Sequence, residues 1–320
     1  MWRIGVIFCF CALVSFQFIS VTSAQAQEKS LIVTVSDPVG IPKILAEGFR
    51  WPEGPSVDKD GNAYLSDEST TFITKVTPNG KISKVVDVGG GSSSTILDKD
   101  GNLYLANYSS HKILKVDLKT SKVSMVADRT PDGETLRGPN DMAWDQSGRL
   151  YFTDPRGSSK TPIGNVCYID LDGTCKKFTS GCCYPNGIAF SKDFKYLYIA
   201  ETNCEVIWKF EINADGTAGM KHFFFYTGEN NLVDGMKIDA ENHLWITNFS
   251  KNELWRISPE GKVVDQIKLP FKANLTNICF AGPDMRTVYL TTVEGGNSKL
   301  YTMRMPVAGM PRVPEALEKK

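Results

Sequence analysis

One pattern recurs six times along this chain and restricts the fold more than any other feature. An apolar stretch enters an Asp- and Gly-bearing turn and returns as a second apolar stretch. SVDKDGNAYLSD from Ser56 is the clearest copy; STILDKDGNLYL from Ser94 nearly repeats it, and NDMAWDQSGRLYF from Asn140 follows. Looser copies are NGIAFSKDFKYLYIAE from Asn186, DGMKIDAENHLWITN from Asp234 and TNICFAGPDMRTVYLTT from Thr276. Asp-Gly turns between alternating apolar runs signal β-hairpins. A period of about 40 to 47 residues is that of propeller blades. A third run follows each hairpin (FITKV, KILKV, NVCYI, VIWKF, ELWRI, KLYTM), and often a fourth, such as KISKVVD. The pattern predicts an all-β chain, a six-bladed β-propeller with four-stranded antiparallel blades. A β-sandwich is the main rival, yet it would not repeat one hairpin six times at one spacing. An extra N-terminal strand, Leu31–Val35 or Ile44–Leu45, is expected to pair into the last blade, closing the ring and removing exposed edges.

Aligning the copies on their turns places one residue per repeat at the start of the first strand. These are Glu53, Ser93, Asn140, Asn186, Asp234 and, because the sixth turn is longer, either Thr276 or Asn277. First strands line the channel of a propeller, so these side chains are expected to converge on one axial point. Acids, carboxamides and hydroxyls are all oxygen donors. Repelling acids at the end of a narrow channel call for a cation. An oxygen-only set suits Ca²⁺, Mg²⁺ or Mn²⁺, and no thiol or imidazole is placed to select a softer metal. The bland alternative makes Glu53 and Asp234 solvated strand ends and Asn140 and Asn186 turn caps; four such residues in one register favour the metal. A second ring, at the ends of the second strands, holds Asp67, Asn107, Asp154, Glu201, Asn248 and Thr292. Strand direction puts it on the same face as Glu53, and most of its members are expected to bind loop amides. Beyond it, Tyr108, His111, Arg156 and Phe249 are candidate pocket walls.

Residues 1–26 read as an export signal: Arg3 supplies charge, Ile4 to Phe18 is largely apolar, and Ala24-Gln25-Ala26 is a small-residue cleavage site. Residues 27–310 then form a single propeller domain with a tail at 311–320, secreted or periplasmic. No later apolar run is long enough to span a membrane. Lys plus Arg balances Asp plus Glu at 36 each, which argues against a nucleic-acid partner and leaves a small-molecule substrate; the oligomeric state is not legible. Export permits disulfides. Cys167 with Cys175 across a turn is one plausible bridge, Cys182 or Cys183 with Cys204 another, and Cys279 reads as a buried thiol. None of His111, His222 and His243 is well placed for catalysis, and no G-x-S-x-G elbow is present.

EGP at Glu53, GPNDMAWDQSGRLYFTDP from Gly138, YPNGIAFSKDFKYLYIAET from Tyr184 and VDGMKIDAENHLWITN from Val233 together resemble the senescence marker protein / gluconolactonase / luciferin-regenerating enzyme family across nearly the whole mature chain. The resemblance implies a divalent metal on the propeller axis, held by a Glu, an Asn and an Asp. By motif these are Glu53, Asn186 and Asp234, and Asn140 becomes a substrate or water contact within possible reach of the metal. Glu201 stands where many relatives carry Asp, and Arg156-Gly157 where gluconolactonase-like members often carry Pro-Tyr-Gly; both lie on the substrate face. The implied activity is opening of a lactone, a sugar lactone or related cyclic ester, by metal-activated water. Asp234 is the candidate general base. Asn140 with Arg137 or Arg156 would orient the substrate, and Glu201 is a further candidate contact. Ca²⁺ is the expected cofactor, with Zn²⁺, Mn²⁺ or Mg²⁺ as alternatives. Phosphotriesterase-like hydrolysis, or non-catalytic ligand binding around a structural calcium ion, are the other functions such a chain can serve.

Overall fold

The computed structural model describes residues 40–157 and 160–311; residues 1–26, expected to be an export signal, the alternative first strand Leu31–Val35 and all but the first residue of the expected tail lie outside them. Strand β1 (Lys43–Phe49) opens the described chain. Blade 1 follows as β2 (Pro52–Val57), β3 (Ala63–Asp67), β4 (Phe72–Val76) and β5 (Ile82–Asp87). Blade 2 is β6 (Ser94–Leu97), β7 (Leu103–Asn107), β8 (Lys112–Asp117) and β9 (Lys122–Ala127). Blade 3 is β10 (Met142–Trp144), β11 (Leu150–Asp154), β12 (Gly164–Ile169) and β13 (Cys175–Cys182). Blade 4 is β14 (Pro185–Phe190), β15 (Tyr196–Glu201), β16 (Val206–Ile212) and β17 (Ala218–Tyr226). Blade 5 is β18 (Val233–Ile238), β19 (Leu244–Asn248), β20 (Glu253–Ile257) and β21 (Val263–Lys268). Blade 6 is β22 (Asn274–Ala281), β23 (Thr287–Val293) and β24 (Ser298–Arg304), completed by β1 on the outside of β24. The closing strand is therefore the one at Ile44–Leu45.

The recurring turn shows why the hairpin repeats. Asp58 Oδ1 accepts the N–H groups of Asp60 and Asn62, each at 2.9 Å, while Gly61 takes φ +80°, a left-handed conformation that costs a glycine little. Asp98 and Asp145 repeat the arrangement at their own turns. The core follows from blade stacking. Each of six apolar clusters draws its residues from two neighbouring blades, and the one joining Phe49, Tyr289 and Leu300 to Val57, Leu65 and Val76 closes blade 6 on blade 1. The innermost strands pack on one another in turn around the axis, β22 against β2 included.

Beneath blade 5 the turn aspartate is fully buried. Asp239 accepts Arg256 Nε at 2.7 Å and Trp245 Nε1 at 3.0 Å, and the same guanidinium reaches Asp265 at 3.3 Å and lies over the Trp245 ring. Removing one partner strands buried charge, so Arg256→Leu is expected to destabilise the fold by about 3–5 kcal/mol. The exposed pair Arg304–Asp284 sets the contrast: Arg304→Ala should cost under about 1 kcal/mol. Urea unfolding compares the two directly, and equal losses would refute the assignment.

One expected disulfide does not form. Cys167 pairs across β12 and β13 with Lys177, and Cys175 with Ile169, because the turn is centred on Asp172. The two cysteines are diagonal rather than opposite, and their thiols lie near each other without bonding. Both remain buried thiols, as does Cys279. The other bridge is Cys183–Cys204, with Cα atoms 5.8 Å apart.

Candidate metal and substrate site

Four innermost strands break register near their entry: β2 between Glu53 and Ser56, β14 between Pro185 and Ile188, β18 between Val233 and Met236, and β22 between Leu275 and Asn277. Such bulges re-aim side chains, and here they fall at the positions singled out by the repeat register. Glycine follows Glu53, Asn186 and Asp234 because the next strand passes at contact. A Cβ on Gly54 would lie 2.1 Å from Ser94 Cα, and one on Gly187 2.1 Å from the Asp234 carbonyl oxygen. Crowding of the six inner strands thus fixes the backbone behind each of the three side chains.

The structure brings Glu53, Asn186 and Asp234 together. Glu53 is buried, with Oε2 accepting Gly54 N–H at 2.8 Å and Asn277 Nδ2 at 3.3 Å. Asp234 is half-buried, and the Asn186 amide lies close enough to favour its charged form. Burial pushes the Glu53 carboxyl well above its ordinary 4.5, and the charges of Asp234, Glu68 and Asp141 push it further. Burial, then Glu68 and Asp141, likewise raises Asp234 well above 3.8. Among the described residues, no lysine or arginine forms an ion pair with either acid; Lys237, 3.7 Å from Asp141, answers that deeper carboxylate instead.

Asn186 Oδ1 is buried without a hydrogen-bond donor. Turning the amide over would set that oxygen against the Asp234 carboxylate, so the orphan oxygen belongs where it is. An uncompensated carboxylate pair beside an orphaned carbonyl oxygen is the donor set a hard divalent cation takes. The residues present fit such an ion. The tightest group of thiols and carboxylates elsewhere in the described residues, Cys183, Glu201 and Cys204, does not, because its two sulfurs are bonded to each other.

The remaining ring positions sort by their contacts. Asn277 rather than Thr276 is the sixth member, since the Thr276 hydroxyl is spent on the Pro52 carbonyl and Thr291. Asn140 is half-buried, and its side-chain amide has no partner among the described residues. Arg137 is exposed and in no ion pair among the described residues; its backbone N–H donates to Asp154 at 3.0 Å. Arg156 is buried and tied to Glu134 and Asp154. Glu201 accepts Cys183 N–H at 2.8 Å and pairs with Lys221. In the second ring Asp67, Asn107 and Asp154 bind loop amides as expected.

Three site residues escaped the repeat register. Asp141 directly follows Asn140, and its charge also reaches Glu53 and Asp234. Glu68 lies one residue beyond the second-strand end, in a loop that no repeat aligns. Tyr184 sits in a left-handed conformation, φ +55°, next to the Cys183–Cys204 bridge, and its phenol is close enough to feel Asp234, Glu68, Tyr108 and Glu53. A bulky residue at such φ, beside a disulfide, marks a constrained wall, and His111 at φ +59° and Arg156 at φ +64° share that left-handed region.

Residues 51–294 match the SMP-30/Gluconolactonase/LRE-like region. The gluconolactonase of Zymomonas mobilis is 27% identical over 81% of this chain and 80% of its own length. The lactonase drp35 of Staphylococcus aureus strain MW2 is 27% identical over 78% and 82% respectively. Among solved structures, regucalcin of Agrobacterium tumefaciens, a calcium-binding protein, superposes with a TM-score of 0.74 at 21% identity, over 85% of this chain and 96% of the other. The family profile spans the propeller from blade 1 into blade 6 and takes in all three axial residues, so this chain is a member of the SMP-30/gluconolactonase/LRE-like family.

Proposed function

We propose that this protein is a metal-dependent lactone hydrolase. The orphaned, buried Asn186 Oδ1 near a carboxylate pair with which no lysine or arginine among the described residues forms an ion pair carries the reading; the lactonases among its relatives supply the substrate class. Glu53, Asn186 and Asp234 would hold the ion, with Asn140 at its edge. Ca²⁺ fits an all-oxygen set best, and the structural neighbour that binds calcium is consistent with it. When bound, the ion supplies Lewis acidity toward the lactone carbonyl.

This chain's own residues do the rest. Asp234 is the general base, its charged form favoured by the nearby Asn186 amide and able to take a proton from the attacking water. Asn277 and Gly54 N–H fix one oxygen of Glu53 and leave the other for the ion. Asn140 and the unpaired Arg137 orient the substrate, whereas Arg156 holds the loop wall through Glu134 and Asp154. The same reading places the protein outside the cytosol, where the Cys183–Cys204 bridge would persist. A hydrolysis panel of aldonolactones, acyl lactones, aromatic lactones and phosphotriesters, with Ca²⁺, Zn²⁺, Mn²⁺ or Mg²⁺ added, tests the proposal. Lactone turnover that chelation abolishes and metal restores is the expected result. Turnover of phosphotriesters alone, or of nothing with any of the four ions, would defeat it.

A further inference from the structure

Five innermost strands bring a carboxylate or carboxamide to the axial ring: Glu53, Asn140, Asn186, Asp234 and Asn277. Blade 2 brings only Ser93. Its approach is built small, GGGSSS from Gly89 to Ser94, and it packs hard on the loop after β3: a Cβ on Gly91 would lie 2.1 Å from the Glu68 carbonyl oxygen. Glu68 takes up the room so left. Its Oε1 accepts Ser93 Oγ at 2.6 Å, and its charge is felt at both Glu53 and Asp234. The loop that carries it is fixed, with Glu68 N–H on the Trp51 carbonyl at 3.0 Å and Asp67 holding the N–H groups of Arg50, Trp51 and Ser69. Glu68 Oε2 has no protein donor among the described residues. Two aromatic residues lie in its neighbourhood through Tyr184. The Tyr184 phenol feels both Glu68 and Tyr108, and the Tyr108 ring lies so close to Gly138 that a Cβ there would sit 2.7 Å from it.

We propose that Glu68 is a specificity-determining residue of this site, whose free carboxylate oxygen accepts a hydrogen bond from a hydroxyl of the bound lactone and whose charge rejects lactones bearing an anionic substituent. The proposal rests on the lactonase reading above. Glu68 stands in for the missing ring residue of blade 2, but one oxygen is committed to Ser93, which sets it as a rim acceptor. A hydroxyl beside it satisfies the oxygen, Oε2, that has no donor among the described residues, and a carboxylate or sulfonate in that place would face like charge in a partly desolvated site.

Isothermal titration of the full chain loaded with Ca²⁺ tests this with two non-hydrolysable probes, glucono-1,5-lactam and glucaro-1,5-lactam. They share a ring and differ by a hydroxymethyl against a carboxylate. Wild-type protein should bind the uncharged lactam at least about 30-fold more tightly. Glu68→Gln should bring the two within about threefold, and Glu68→Ala should weaken the uncharged lactam about 10-fold by removing the acceptor. Ca²⁺ affinity should fall by less than about 30-fold in both variants, because a nearby charge is lost but no ligand. An unchanged lactam ratio in Glu68→Gln overturns the proposal, as does failure of the wild type to bind either lactam. A Ca²⁺ affinity loss of about 100-fold also overturns it, by making Glu68 part of the metal site. Turnover of the two parent lactones is measured separately: lactam discrimination without turnover would retire the lactonase reading and leave the role of Glu68 standing.

Discussion

Glu53→Gln should lose more than about 100-fold in Ca²⁺ affinity and about 1,000-fold in kcat/KM for lactone hydrolysis at fixed metal. Replacing outer partners of metal ligands already costs about 10–100-fold, and Glu53 is assigned as a ligand and one of two close negative charges. Loss of an electrophile aimed at the developing oxyanion costs a further factor of about 10²–10³ in rate. The substitution keeps the side chain's length, and its remaining oxygen can still accept Gly54 N–H and Asn277 Nδ2, so the local fold has no reason to fail. A stability readout separates a site defect from a folding defect. In chelated protein Glu53→Gln should unfold at a higher temperature than wild type, since it removes an acid that burial and Asp234 both disfavour. Asp234→Asn divides the two roles assigned to that residue. If Asp234 is the base, kcat stays depressed at saturating metal even where occupancy is restored. Wild-type metal affinity together with wild-type kcat in Glu53→Gln would end the metal assignment.

Much of this architecture was legible because a propeller writes its geometry into every repeat. Once the turns at Asp58, Ser191 and Asp239 are aligned, position in the repeat equals depth along the axis, and Glu53, Asn186 and Asp234 fall out at one level. The bulges that turn those side chains inward were not legible, since a one-residue slip leaves no mark on apolar alternation. Register also decided the cysteines. The turn at Asp172 suggested a cross-strand pair, but its centre sets Cys167 opposite Lys177. Glu68 and Tyr184 lay beyond reach for a different reason: both sit in loops between strands, where length and path vary from blade to blade and no internal comparison exists. The repeats thus reveal what the fold must hold at the axis, while the features that distinguish one substrate from another are written in the loops.

Metal-free protein should lose stability as pH rises from about 4 toward neutrality, and bound Ca²⁺ should reverse that trend. Glu53 and Asp234 both have folded-state pKa values raised above their ordinary 4.5 and 3.8. At pH below the ordinary values both groups are protonated whether the chain is folded or not, and they cost nothing. As pH climbs past those values the unfolded chain ionises first while the folded chain still holds the protons. The folded state then binds more protons than the unfolded one, so the unfolding free energy falls with pH, and the penalty is complete once pH exceeds the raised folded values. A divalent ion needs both carboxylates ionised, so its affinity and the stabilisation it brings grow through the same window. At a free Ca²⁺ concentration about 1,000 times Kd the gain is about 4 kcal/mol, or roughly 10 °C in Tm for a chain of this size. Surface carboxylates held low by their partners, such as Asp170 at about 2 beside Lys176, contribute the opposite slope in strong acid. Measuring the Ca²⁺-induced shift in Tm against a chelated control at each pH cancels them, because they are the same in both arms. The shift should be near zero at pH 4, grow as pH rises toward the raised folded values of both acids and largely vanish in Glu53→Gln. A shift independent of pH would mean that the ion binds somewhere other than between these two acids.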